Sequence, residues 1–191
     1  MVKLSISQNP EADALLSSSP LALLIGLVLD QQITLEKAFT APLLLMQRLG
    51  ENLDAKKVAS MDPQLLEQVF SEKPALHRFP TAMAQRVQEI CVVVARDYGN
   101  DASRIWKDAK DGKELLERIK KLPGFGDMKA KIFVALLGKQ LAIEVPHWRE
   151  ASAPFGEPGS FRSIADITDG DSLIKVREFK AAMKAGGTAQ K

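Results

Sequence analysis

The stretch Leu122-Pro123-Gly124-Phe125-Gly126, followed by Asp127-Met128-Lys129-Ala130-Lys131 and the apolar run 132–137, constrains this chain more than any other. Upstream, Leu115, Leu116, Ile119 and Leu122 recur at helical spacing, so an amphipathic helix enters the turn. Two glycines one residue apart, preceded by proline and followed by a second helical pattern, leave backbone N–H groups free at a helix N-terminus. Those groups lack intrahelical partners and the helix dipole is positive there, so the turn suits an anion such as a phosphate. Gly124 and Gly126 are expected to hold backbone conformations or close approaches that a Cβ would obstruct. The same residues also fit a plain helical corner that needs glycine only to turn tightly.

The rest of the chain reads as helices joined by short polar connections, with no sustained alternation of period two and no internal repeat. A short helix is expected over Pro10–Leu16. Ser19-Pro20 starts a stronger one in which 21–29 is almost wholly apolar, so it should be central and buried on all sides. Leu35–Leu49 ends at Gly50, a natural residue for leaving a helix, and Asp62-Pro63 caps Gln64–Phe70. Pro80-Thr81 introduces a long helix, Met83–Tyr98, stopped by Gly99. A final helix is expected over Leu173–Met183, with 185–191 frayed. Trp106 is expected to plug the core beside the hairpin.

Composition narrows the chemistry. The single cysteine, Cys91, lies in an apolar run and rules out an internal disulfide and a thiolate-held cluster. His77 and His147 are too few and too far apart for a metal site, so no metal and no cofactor is expected. No apolar run reaches the length of a membrane span and the N-terminus lacks a signal-peptide pattern, so a cytoplasmic chain is expected. Net charge is only +2, but between Arg104 and Lys131 nine Lys/Arg face five Asp/Glu, leaving the remainder at −2. The basic excess coincides with the hairpin, as attraction to a polyanion would require.

With these residues in view, the hairpin block resembles the helix-hairpin-helix of the base-excision DNA glycosylases, the superfamily of endonuclease III and of the adenine and 8-oxoguanine glycosylases. The resemblance covers about residues 20–149. It implies that Leu122, Pro123, Gly124, Phe125 and Gly126 grip one DNA phosphate through backbone amides, with Lys129 near the family's usual basic residue. It also implies a role for Asp30-Gln31-Gln32, where three polar residues follow the apolar helix. In the family a loop at this place enters the minor groove and fills the gap left by an extruded base, and Gln31 and Gln32 match that wedge. The plainer reading is a polar helix end with Thr34 capping the next helix. In the segment 72–80, His77 and Arg78 become possible DNA contacts, with Lys131 beside the hairpin.

The resemblance breaks where the family keeps its catalytic aspartate. Matched by spacing from Gly138, that position falls at Val145 or Pro146, neither of which can carry a charge. Glu144 is the nearest carboxylate, with Glu150 a weaker alternative and Asp166 a displaced one that capping explains equally well. Met128 occupies the place of the lysine used by the backbone-cutting members, and Lys129, one residue on, is rotated by about 100° around the helix, so no β-lyase activity is expected.

The expected architecture is all-α, the helix-hairpin-helix DNA glycosylase fold: a six-helix barrel over 20–138 and a smaller helical lobe from 1–19 and 139–191. The expected function is a monofunctional, monomeric glycosylase, compact and without an iron–sulfur cluster, hydrolysing the N-glycosidic bond of a damaged or mispaired base in double-stranded DNA. The alternatives are a non-catalytic binder of damaged or distorted DNA, and a helical scaffold that binds protein.

Overall fold

In the computed structural model, which describes residues 3–143 and 145–188, prolines and capping side chains divide the chain into helices. These are α1 (Pro10–Ser18), α2 (Pro20–Leu29), α3 (Leu35–Leu49), α4 (Ala55–Ser60), α5 (Pro63–Ser71), α6 (Pro80–Asp97), α7 (Arg104–Lys107), α8 (Gly112–Lys120), α9 (Asp127–Gln140), α10 (Trp148–Ala151) and α11 (Gly170–Thr188). A 3-10 turn at Ile164–Asp166 precedes the last. No strand occurs among the described residues, so the chain is all-α. No single helix among them is long and apolar enough to cross a membrane.

The local signals act as expected at several boundaries. Asn9, Ser19, Thr34 and Asp62 each accept a backbone N–H in the first turn of the helix they precede. Gly50 and Gly99 leave their helices with φ of +69° and +61°. The one-turn element α7 and the short α4 carry too little periodicity to be read from sequence. The last helix extends beyond the expected Met183 to Thr188, so the segment after 185 continues the helix through the described residues.

Helix α2 is the axis of the molecule. All nine residues from Leu21 to Leu29 are buried, and α1, α3 and α6 pack around it. Each fully buried Leu, Ile or Val contributes about 1.5–3 kcal/mol relative to exposure, so this one helix carries much of the core. Buried apolar side chains from Leu4 near the N-terminus to Val176 in α11 form one contiguous cluster, and the expected barrel and smaller lobe share it. The N-terminal segment is held by Asp13, whose Oδ1 accepts from the backbone N–H groups of Ile6 and Ser7 at 3.0 and 2.8 Å.

The hairpin is anchored from below. Phe125 of the turn is buried and lies 6.0 Å from Phe133 of α9, which meets Trp106 edge-on at 5.7 Å. On the opposite side of α9, Gly138 allows Trp148 of α10 to lie against the helix: a Cβ there would stand 2.5 Å from the indole Cδ2. Trp148 is buried, so its ring has no open space to move into. Gly138→Ala should therefore lower stability by about 1–3 kcal/mol through overpacking. Thermal denaturation followed by circular dichroism should show a Tm lower by roughly 2–4 °C per kcal/mol; an unchanged Tm would mean that α10 does not rest on α9 as described.

Candidate nucleic-acid interface at the hairpin and the end of α2

The turn between α8 and α9 keeps its apolar members inside and its amides outside. Leu122 and Phe125 are buried, while Gly126 is exposed and no side chain caps the helix that begins at Asp127. Among the described residues the N–H groups of Gly124, Gly126, Asp127, Met128 and Lys129 have no acceptor, whereas Phe125 donates to Leu122 at 3.1 Å and Ala130 to Gly126 at 3.0 Å. Five free amides around one turn make a concavity that an anion can satisfy. The expectation about the glycines holds for one of them. Gly124 sits at φ +85°, where a Cβ would also touch the Arg86 side chain at 3.1 Å, but Gly126 has φ −85° and open space around it.

The charges at this turn are partly spent on each other. Asp127, the first residue of α9, is held below the usual carboxylate range by Lys131, 2.9 Å away, with Lys120 at 3.6 Å on its other oxygen. Two cations on one carboxylate leave the group net positive, and Lys121 carries no ion pair among the described residues. Lys131, expected beside DNA, is thus committed first to Asp127. Met128 is exposed.

Lys129 turns the other way. Its Nζ reaches back to the Val28 carbonyl at the end of α2, at 3.4 Å, and so ties the hairpin to the Asp30-Gln31-Gln32 loop. The two glutamines have different fates there. Gln31 is half-buried and its amide donates to the Val28 carbonyl at 2.8 Å and toward the Met83 sulfur at 3.4 Å. Gln32 is exposed, in the left-handed region at φ +56°, and its side chain has no hydrogen bond among the described residues. A non-glycine residue is strained in that conformation, and here it aims a free amide side chain outward from the loop.

His77 is corrected by the structure. It was a possible DNA contact from a loop, yet the residue is 1 % exposed. Nδ1 accepts from the Phe79 N–H at 3.0 Å, which assigns the ring proton to Nε2, and Nε2 donates to the Gln31 carbonyl at 2.9 Å. Burial pushes its pKa down, so it is a neutral strut that holds the glutamine loop in place. Arg78 next to it is exposed, with its guanidinium 5.3 Å from the Phe79 ring centroid, and remains open to a partner.

The expected acids fall outside this region or outside the described residues. Glu144 lies outside the described residues. Glu150 is exposed, 3.6 Å from His147. Asp166 is buried and fully engaged: Lys139 at 2.5 Å, Ser160 at 3.3 Å, and the backbone N–H groups of Arg162 and Ser163 at 2.8 and 3.1 Å all point at its carboxylate. That carboxylate closes a capping box on the 3-10 turn. Its partner Lys139 is ten residues beyond Lys129 on α9, about 15 Å along the helix, so Asp166 acts as a structural ion pair and not as a displaced acid at the hairpin.

The group that sequence reading passed over is Asp30. It is the residue after the last turn of α2, and its carboxylate makes no hydrogen bond and no ion pair within 4 Å among the described residues. Burial raises its pKa, against the opposing pull of Lys180 and then Lys129. Across from it, burial lowers the pKa of Lys129, opposed by Asp30 and reinforced by Arg86. A carboxylate and an amine each made less comfortable in the charged form thus share one patch beside free amides, which makes the patch a candidate site. The signal in the sequence was an acid at the C-terminal end of an apolar helix, where the dipole disfavours it.

This arrangement has a thermodynamic consequence. A carboxyl whose folded pKa is raised above its unfolded value of about 3.8 stabilises the fold only when protonated, and that contribution is lost as pH rises through the folded value. At neutral pH the ionised Asp30 therefore destabilises the protein. Asp30→Asn should raise Tm at pH 7, with the gain shrinking as the medium is acidified and vanishing near pH 3; an equal or lower Tm at pH 7 would show that the carboxylate is satisfied in the fold. No protein-family model matches the chain, nor does any curated protein or any solved structure.

Proposed function

We propose that this chain is a DNA glycosylase of base-excision repair, with the hairpin amides on a backbone phosphate and Gln32 in the space vacated by an extruded base. The observation that carries the reading is the Lys129 to Val28 contact. It joins the free amides at the start of α9 to the loop that presents Gln32, so a phosphate grip and a wedge are adjacent although 94 residues separate Gln32 from Gly126. A protein scaffold would need neither the five unsatisfied amides nor the strained, projecting glutamine. The partner in this reading is double-stranded DNA carrying a damaged or mispaired base, and the protein acts as a monomer. It is a member of the helix-hairpin-helix glycosylase fold, cytoplasmic and nucleoid-associated through its DNA.

The reaction in this reading is hydrolysis: the bond from C1′ to the base nitrogen breaks, the electron pair leaves with the base, and water adds to C1′. Extrusion costs a few kcal/mol, which the inserted glutamine offsets in part. Lys129 serves as a cation, not as a Schiff-base nucleophile, since it is drawn inward to the Val28 carbonyl. The consumption of Asp166 by Lys139 favours one second reading, a binder of distorted DNA without catalysis. Abasic product from a panel of lesion-bearing duplexes separates the two, and product from none of them would sink the enzyme.

Binding variants test the geometry. Gly126→Ala places a methyl group where no protein atom lies within 4 Å, so the fold should be unaffected while a phosphate seated on the amides is displaced. Loss of one such contact should weaken duplex binding about tenfold, and binding itself should weaken steeply with added salt. Titration with a labelled duplex measures both, and wild-type affinity in a folded variant would remove the phosphate site. Gln32→Ala should lower affinity for mismatched or lesion-bearing duplex more than for normal duplex, whereas Gln31→Ala, which loses internal bonds, should lower Tm. Equal losses of affinity on both duplexes for Gln32→Ala would reduce the loop to a simple helix end.

A further inference from the structure

Asp30 combines three unfavourable placements with no structural return. It is a carboxylate at the negative end of a helix dipole, it is half-buried, and it accepts no hydrogen bond among the described residues. The buried carboxylates among the described residues are treated differently: Asp13 holds the N-terminal segment and Asp166 closes a capping box and an ion pair. Local rules broken without compensation point to a site where the cost is borne for chemistry.

The surroundings of Asp30 say what that chemistry requires. Lys129 of α9 and Lys180 of α11 face it at distances too long for ion pairing but close enough to pull its pKa down. Arg86 of α6 faces Lys129, Lys37 of α3 faces His77, and His77 itself is neutral. Cations around the carboxylate oppose the burial that disfavours its ionised form, and they do so without occupying its lone pairs. The next residue, Gln31, is clamped by His77 and the Val28 carbonyl, and the one after it, Gln32, projects outward. Consecutive Cα atoms are 3.8 Å apart, so Asp30 is within about 8 Å of the wedge residue.

We propose that Asp30 is the catalytic carboxylate of this site, set against the sugar of the extruded nucleotide and faced by Lys129 and Lys180. The inference rests on the glycosylase reading above and supplies the acid that residues 145 and 146 lack. As the bond between C1′ and the base breaks, positive charge builds on the sugar ring and is stabilised by the carboxylate in a partly dry setting. Water then adds its oxygen to C1′, Asp30 takes the proton released and returns it to solvent, and the departing base is protonated from solvent. A carboxylate that is poorly solvated beforehand gains more from the cationic sugar than a solvated one does, because less water must be displaced.

The test uses two abasic-site analogues in the same duplex, one a cationic pyrrolidine that mimics the charged sugar, the other a neutral tetrahydrofuran. The wild-type protein should bind the cationic duplex about tenfold tighter at pH 7. Asp30→Asn should bring the two to parity while keeping affinity for the neutral duplex, and should slow base release about 100-fold on any lesion the wild type processes. The wild-type preference should fade on acidification, and Lys180→Ala should move that limb to higher pH by removing a cation that favours the ionised form. This pH profile uses protein with Asp30 intact, so the inference is testable even where the Asn variant folds poorly. A cation preference that survives in folded Asp30→Asn overturns the assignment and leaves the glycosylase reading standing. Tight binding of both abasic duplexes with no cation preference also overturns it, in favour of the non-catalytic binder. Affinity for neither analogue above normal duplex removes the glycosylase reading itself.

Discussion

The end of α2 is the constraint on which the rest of the structure depends. A helix whose last nine residues are all buried must terminate somewhere, and its final carbonyls then need donors inside the protein. Here those donors come both from the residues just after the helix and from far away in the chain. Gln31 and Lys129 supply hydrogen bonds to the Val28 carbonyl, Gln31 also donates its backbone N–H to Leu29 at 2.7 Å, and His77 supports the Gln31 carbonyl. Satisfying one helix end thereby draws the hairpin, the 72–79 segment and the glutamine loop to one place. A cation at that end is also favoured by the dipole, which accounts for Lys129 turning inward.

The hairpin depends on the same core from the other side. Phe125 fastens the turn to Phe133 and Trp106, which allows the glycine amides flanking it to face outward without loosening the corner. Of the two glycines, Gly124 is required by its own backbone and by Arg86, whereas Gly126 is required by nothing in the protein. The space around Gly126 leaves the backbone amides there open to an approaching group. The paired charges of Lys120, Lys131 and Asp127 mean that the basic excess of this region, counted along the chain, overstates what a polyanion would meet.

Three buried or half-buried carboxylates show how context assigns a role to one residue type. Asp13 and Asp166 are surrounded by donors and act as internal staples. Asp30 is surrounded by cations at a distance and by no donor, so it keeps a free pair of oxygens beside a loop that projects. Burial without partners is costly, and the cost falls at the point where the hairpin and the glutamine loop meet.

The sequence by itself determined the longer helices, because caps, prolines and apolar periodicity act within a few residues. Ser19, Thr34, Asp62 and Gly50 end or begin elements where their side chains or their tolerance of positive φ require it. The hairpin and the glutamine pair were legible for the same reason, since each is a local pattern. What only the tertiary structure decided is the use of each side chain: that His77 is buried and neutral, that Gln32 and not Gln31 is free, that Asp166 is consumed, and that Asp30 is exposed to no partner. These outcomes depend on desolvation and on contacts between residues far apart in the chain, 46 positions for His77 and Gln31 and 101 for Lys129 and Val28. No local pattern encodes such distances, because a charge or a donor is priced by whatever the folded chain brings next to it.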